Sequence, residues 1–376
     1  MQIFTWGSSY YLLAVLAAPI AADTGWPLPW IFGALSTGLL VAGFASPWIG
    51  ARIGRSGGRV ILAGGCALLA LGLAAIGLSA TLPEFIAGWL VLGLGMGASL
   101  YDAAFATLGR LYGVAARPAI TQLTLWGGFA STICWPISAY LVAHLGWRDT
   151  CFVYAGLQLF GCVPLLLLTL PPAPPAPKDA GGVHGPQTPA LSARERLCAW
   201  LLSTLFAICG LITATVSIHL LSLLQAQGLT LAAAVSLGVL IGPSQVAARL
   251  LEMAGRGRHH PLWTLAASVL AMAAGLALLA VGSGLQAAAL MLYAAGSGLY
   301  SIARGTLPLA LFGPARYAHL IGRLARPNLL AQALAPSIAA FFAVRYGAEF
   351  MMHGLVAIAL VNVGVMLALG WATRAL

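Results

Sequence analysis

Apolar positions run along this chain in blocks of roughly twenty residues, separated by short clusters of Gly, Pro and charged side chains. The period-two alternation of a lipid-facing barrel strand is missing. The blocks predict twelve membrane-spanning helices at approximately 4–22, 29–51, 59–80, 83–109, 118–144, 149–170, 198–226, 230–252, 262–282, 285–312, 324–345 and 348–371. Between the sixth and seventh lies a Pro- and Gly-dense stretch from Pro171 to Arg196, whose composition breaks helices and whose charges hold it in water. The expected fold is therefore an all-α integral membrane protein of twelve transmembrane helices in two pseudo-symmetric six-helix bundles, residues 1–170 and 198–376, joined by a cytoplasmic linker, 171–197. The first block, Ile3 to Ala22, has no charged leader and is expected to stay as a span rather than be cleaved.

Composition fits this solvent: 61% of residues are hydrophobic and only 7% charged, against about 25% charged in a soluble domain. The mean hydropathy is +0.95. A net charge of +10 could point to nucleic acid, but the basic residues sit in short loops between spans, so the charge reports topology and no nucleic-acid partner is expected. Fifteen of the eighteen Lys and Arg fall on one side of the predicted membrane, Arg148 and Arg345 on the other, and Arg304 within a span. That bias places both termini and the linker in the cytoplasm. The six cysteines show no metal-ligand spacing and are expected to be reduced core residues.

The chain also repeats itself. Gly93 to Gly113 reads GLGMGASLYDAAFATLGRLYG, and 199 positions on, Gly296 to Gly313 reads GSGLYSIARGTLPLALFG, with Tyr101 on Tyr300, Thr107 on Thr306 and Leu108 on Leu307. Each copy carries one charge inside an apolar span, Asp102 in the first and Arg304 in the second. A charge near mid-membrane costs at least about 2.5–3.5 kcal/mol and normally lines a polar cavity or finds a partner. The repeat sets the two about one helical turn apart in depth, about 4.5 Å.

With twelve spans, a central linker and a parallel repeat, the loop between spans two and three becomes informative. It reads GARIGRSGGRVIL, Gly50 to Leu62, and is similar to the G-x-x-x-D-R-x-G-R-R-x-x-L signature of the major facilitator superfamily. Gly50, Arg55, Gly57, Arg59 and Leu62 match, whereas Gly54 stands in place of the acidic residue and Gly58 in place of a basic one. The resemblance implies two bundles that rock around a midplane substrate site lined by spans one, four, seven and ten. It implies gating roles for Arg55 and Arg59. In the second half, IGPSQVAARLLEMAGRGRHH occupies the matching place, and Arg249 and Glu252, at i and i+3, are spaced for an ion pair that would gate or merely stabilise that end.

On the implied lining spans the candidate substrate-binding residues are Arg304, Tyr101, Tyr300, Tyr10 and His219, with Trp126 added from span five. Asp102 is the candidate proton-coupling residue; the gate partner of Arg304 and a structural carboxylate satisfied by hydroxyls are the other two roles open to it. Arg304 suits a bidentate grip on an oxyanion, or snorkels to the interface. His219 either titrates or is a hydrogen-bonded core residue. Asn328 and Gln332 in span eleven are weaker candidates. Phosphate-loop, HExxH and nucleophile-elbow motifs are missing, so no enzyme activity, cofactor or metal is expected. The expected function is a secondary transporter working by alternating access on a small organic anion, with proton coupling as one mode, and is loosely similar to the oxalate/formate and monocarboxylate porters. A proton-driven efflux pump for a toxic or drug-like compound and a non-transporting receptor or scaffold are the alternatives. The expected setting is a monomer in a bacterial inner membrane, with a small-molecule substrate and the lipid bilayer as its partners.

Overall fold

In a membrane, a helix satisfies its own backbone hydrogen bonds without water, so long apolar runs have one stable solution. The computed structural model of the protein describes residues 1–172, 191–255, 258–282 and 284–374, and among them every regular element is helical. The first expected span is two helices, α1 (Gln2–Gly7) and α2 (Leu13–Thr24), interrupted at residues 8–12. α3 (Leu28–Ser56) and α4 (Arg59–Leu78) follow without interruption. The fourth span is divided into α5 (Leu82–Ser99) and α6 (Tyr101–Tyr112) by an extended residue, Leu100 (φ −79°, ψ −168°). Next come α7 (Ala116–Gly127) and α8 (Ala130–Gly156), the latter turning at Gly146, where φ is +83°. A π-helical stretch, Leu157–Cys162, precedes α9 (Val163–Thr169).

The remaining helices are α10 (Ala193–Ala226), α11 (Leu231–Gly238), α12 (Ile241–Ala254), α13 (Pro261–Val281), α14 (Gln286–Tyr346) and α15 (Ala348–Thr373). α14 turns at Gly313, φ +71°. Among the described residues, eight helical stretches are long and apolar enough to cross a membrane. Divided at their turns, they match eleven of the expected spans, and α1 with α2 supplies the first. The linker expected at 171–197 lies for most of its length outside the described residues, Lys178 included, as does Arg256.

The chain forms two compact units. One holds Met1–Ala119, Ala130–Leu197 and Pro308–Arg326; the other holds Ile120–Phe129, Cys198–Leu307 and Pro327–Leu376. Lipid removes most of the hydrophobic incentive for helices to associate, so close packing of small residues does that work. In the first unit, a β-carbon on Gly72 would lie 2.7 Å from the Leu92 nitrogen, and one on Gly95 2.7 Å from that of Leu69, so α4 and α5 touch almost backbone to backbone. α3 meets the segment after Gly313 in the same way: Ser46 Oγ donates to the Gly322 carbonyl at 2.9 Å, and a β-carbon on Gly50 would lie 2.5 Å from the Ala318 oxygen.

The signature loop closes within this unit. Gly57 takes φ +81°, Gly58 packs directly on the Thr107 side chain, and Arg59 donates to the Leu167 carbonyl in the last turn of α9. A guanidinium there meets the negative end of a helix dipole. At the start of α10, ahead of the expected span 198–226, Glu195 accepts from the Ser192 N–H at 2.8 Å and from Arg316 Nη1 at 2.8 Å. The Ser192 bonds, reinforced by Arg316, hold its carboxyl below the ordinary range. In the second unit, α13 and α14 pack through Gly275 and Gly296, and Ser268 Oγ donates to the Gly296 carbonyl at 2.8 Å.

Candidate functional site

Each unit contains a polar site built around its copy of the repeat. In the first unit the fourth span breaks just before Asp102. Leu100 leaves the helical path, and buried Gln2 donates from Nε2 to the Ser99 carbonyl at 2.9 Å, an acceptor set at the break. Tyr101 and Asp102 thus occupy the first turn of α6. That is the positive end of a helix dipole, where a carboxylate gains about 0.3–1 kcal/mol, and up to about 2 when partly buried.

The broken first span lies beside it. Ser8 accepts from Gln158 Nε2 at 2.8 Å, so the π-helical stretch reaches into the interruption with a fully buried amide. Rings gather at the same place: Trp6 stands 4.8 Å from Tyr101 and 5.4 Å from Tyr10, and Tyr11 lies 6.1 Å from Trp135. Tyr10 and Tyr101 therefore share one aromatic cluster, with Trp6 between them.

In the second unit the repeat continues as helix. Arg304, 8% exposed, lies on α14 and points at Asn328 on the same long element beyond its turn. The Asn328 amide is oriented by its neighbours. Its oxygen accepts from Arg304 Nη1 at 3.0 Å, Nη2 at 3.1 Å and Gln332 Nε2 at 2.8 Å, while its nitrogen donates to the Phe206 carbonyl at 2.8 Å and the Tyr300 hydroxyl at 3.1 Å. Gly210 makes room, since a β-carbon there would lie 2.9 Å from the Asn328 carbonyl. The amide fixes the plane of the guanidinium without neutralising it.

One turn earlier, Arg249 is 5% exposed and donates from Nε to Ser301 Oγ at 3.2 Å. Gln245 reaches Ser297 at 3.5 Å, the same offset along α12 and α14, and Gly298 admits the close approach. Nη1 of Arg249 is buried against Gly128 and has no hydrogen-bond acceptor among the described residues. The i, i+3 spacing with Glu252 is not used. Glu252 instead accepts from Thr264 Oγ1 at 2.9 Å and pairs with His259 at 3.1 Å, because the turn after α12 brings those two groups to its carboxylate.

The other expected residues are placed as follows. His219 Nε2 bonds to the Pro336 carbonyl at 3.1 Å, an arrangement that fixes its tautomer. Trp126 is 57% exposed and faces Phe129. Arg55 is exposed at the end of α3, and Arg59 caps α9. The first unit thus brings together Tyr10, Tyr101 and the first-turn Asp102; the second brings together Arg304, Tyr300 and, through Ser301, Arg249. Asn328 and Gln332 gain weight as the groups that orient Arg304. Gln2 and Gln158 carried no signal beyond being amides in apolar runs.

Helices long and apolar enough to cross a membrane, some of them interrupted and two of them carrying a buried arginine, define a polytopic membrane protein. The sequence profile of the Major Facilitator Superfamily matches residues 1–324. The chain belongs to that superfamily. Its fold matches the human organic anion transporter MFSD10 (TETRAN) with a TM-score of 0.74 at 17% identity, covering 97% of each chain. It also matches the proton:xylose symporter XylE bound to 6-bromo-6-deoxy-D-glucose, with a TM-score of 0.72 at 12% identity over 98% of this chain and 93% of that one. FucP in the outward conformation gives 0.72 at 16% identity, over 97% and 96%. No curated protein sequence matches the chain. Family and neighbours alike are transporters rather than enzymes, and members of this superfamily bind small-molecule substrates within the bilayer.

Proposed function

We propose that the protein is a secondary transporter that moves a small organic anion by alternating access. The observation that carries this reading is the way the second unit presents a planar guanidinium. Arg249 and Arg304 are both buried there, Asn328 holds the Arg304 fork in one plane, and Ser301 accepts from Arg249. A guanidinium oriented in this way is suited to two parallel hydrogen bonds to a carboxylate or another planar oxyanion. Tyr300 and Ser301 flank the fork with hydroxyls. That a fold neighbour is itself an organic anion transporter agrees with the reading.

Asp102 is assigned the proton-coupling role, as the carboxylate in the first turn of α6. Arg55, Arg59, Arg249 and Glu252 are assigned to gating, Arg249 serving both purposes. The protein is placed as a monomer in a bacterial inner membrane with both termini and the linker cytoplasmic, halves running 1–170 and 198–376. The aromatic cluster around Trp6 favours a second reading, efflux of a ring-bearing compound driven by protons, since rings stack on rings irrespective of substrate charge.

The test is flux in proteoliposomes, screened over monocarboxylates, dicarboxylates and uncharged aromatic compounds, with and without an imposed pH gradient. Saturable uptake of a carboxylate, with uncharged compounds inert, is the expected result. Flux confined to uncharged or cationic aromatics would replace the anion reading with the efflux one, and binding without flux would favour a receptor.

A further inference from the structure

The signature loop departs from its family at Gly54, and the surroundings of that position suggest what replaces the missing acid. A β-carbon on Gly54 would lie 3.5 Å from Ala318 Cβ, so the segment 314–326 runs directly alongside the end of α3. On α3 the residues Phe44, Trp48, Arg52 and Arg55, spaced by four, four and three, form one stripe. Phe44 is 60% exposed, Trp48 64%, and both arginines are exposed. On the neighbouring segment His319, Arg323 and Arg326, spaced by four and three, form a second exposed stripe, and Arg326 lies 5.0 Å over the Phe44 ring.

The result is a crescent of cations around the Ser46, Gly50 and Gly322 crossing. Among the described residues, no carboxylate lies within salt-bridge distance of Arg52, Arg55, Arg323 or Arg326; the nearby Glu195 is taken by Arg316. His319, between the tenth and eleventh expected spans, keeps its ring partly desolvated although the residue is exposed, and that desolvation, then Arg323 and Arg55, holds it below the ordinary histidine range.

We propose that this crescent is a binding site for an anionic phospholipid, with the headgroup phosphate held by Arg52, Arg55 and Arg323 and the acyl chains lying along Phe44 and Trp48. An exposed aromatic stripe that passes into arginines within one turn, about 6 Å, reproduces the boundary between hydrocarbon and headgroup. A soluble anion would use the arginines and leave the rings without purpose. Basic pockets between membrane helices take up lipid headgroups in this way. The lipid phosphate supplies the negative charge that Gly54 lacks, and the site is independent of what the protein transports.

The test uses the full-length protein in phosphatidylcholine vesicles containing either phosphatidylglycerol or phosphatidylcholine brominated on its acyl chains. Quenching of Trp48 is obtained by difference from Trp48→Phe. Brominated phosphatidylglycerol is expected to quench Trp48 in preference to brominated phosphatidylcholine, with the preference falling about fivefold for each arginine removed. The Arg52→Gln/Arg55→Gln/Arg323→Gln variant should abolish it, whereas the corresponding triple lysine variant should keep it. Inorganic phosphate added to the buffer should not displace the lipid. Equal quenching by the two lipids, an unchanged preference in the triple glutamine variant, or displacement by inorganic phosphate would each overturn the proposal, the last by assigning the site to a soluble anion. If the triple glutamine variant does not fold, Arg55→Gln alone must lower the preference about fivefold or the proposal fails.

Discussion

The two copies of the repeat begin alike and fold differently. Leu100–Tyr101 corresponds to Leu299–Tyr300. In the first copy the backbone breaks at Leu100, and Asp102 falls in the first turn of a new helix; in the second the helix runs without interruption to Gly313, and Arg304 sits in its interior. At the break, Gln2 donates to the Ser99 carbonyl and so takes the place of a helical hydrogen bond. Each charge is therefore accommodated by a different device. The carboxylate lies in the first turn of a helix, at the positive end of its dipole, while the guanidinium, which gains nothing there, is oriented by the Asn328 amide. Both copies close at a left-handed glycine, Gly113 and Gly313, where a β-carbon would be strained.

This contrast can be broken experimentally at either end. The largest expected effect belongs to Asn328→Leu, which strips a buried guanidinium and the Tyr300 hydroxyl of their shared partner. Loss of about 3 kcal/mol is expected, read as a lower Tm in detergent together with a severe fall in flux. Gln2→Leu comes next. It leaves the Ser99 carbonyl without its side-chain donor at a cost of about 1–3 kcal/mol, and amide exchange from Leu100 to Ala104 should change as the helix mends or frays. A Tm and exchange pattern like those of the parent would show that the break does not depend on Gln2.

Smaller in stability, Asp102→Asn forfeits about 0.3–1 kcal/mol of dipole interaction. It should nevertheless abolish accumulation driven by a pH gradient while leaving substrate exchange intact; accumulation that persists would remove Asp102 from coupling. The smallest effect concerns Glu195, whose carboxyl is held below its ordinary value by Ser192 and Arg316. A depressed folded-state pKa means that its contribution is present at neutral pH and is lost as pH falls through the carboxylate range. Tm measured against pH should therefore decline more steeply in the parent than in Glu195→Gln, by the equivalent of at most about 1 kcal/mol.

Much of the fold was legible because lipid imposes a simple rule: apolar runs of span length become helices, and Gly, Pro and Arg mark their ends. The turns at Gly113, Gly146 and Gly313 could be read for the same reason. The break at Leu100 could not, because no Gly or Pro stands at that position and the side chain bonded beside it, Gln2, is distant in sequence; the break at residues 8–12 had only Gly7, Ser8 and Ser9 at its edge, and its bond to Gln158 is equally remote. The charged residues of the site stood out by cost alone. Their partners did not. Asn328 and Gln332 read as ordinary amides in an apolar run, and the spacing of Arg249 and Glu252 suggested an ion pair that the turn to His259 and Thr264 pre-empts.

Arg304 as a planar clamp for an oxyanion is what transport of a small organic anion most requires of this protein. The direct measurement is carboxylate counterflow in proteoliposomes containing Arg304→Lys, beside the parent at matched protein incorporation and with Tm recorded for both. The lysine keeps the charge but cannot form two parallel bonds in the plane that Asn328 sets. The predicted result is a Tm close to that of the parent with counterflow reduced at least about tenfold, equivalent to about 1.4 kcal/mol. Counterflow at the parent rate in a stably folded Arg304→Lys protein would contradict it.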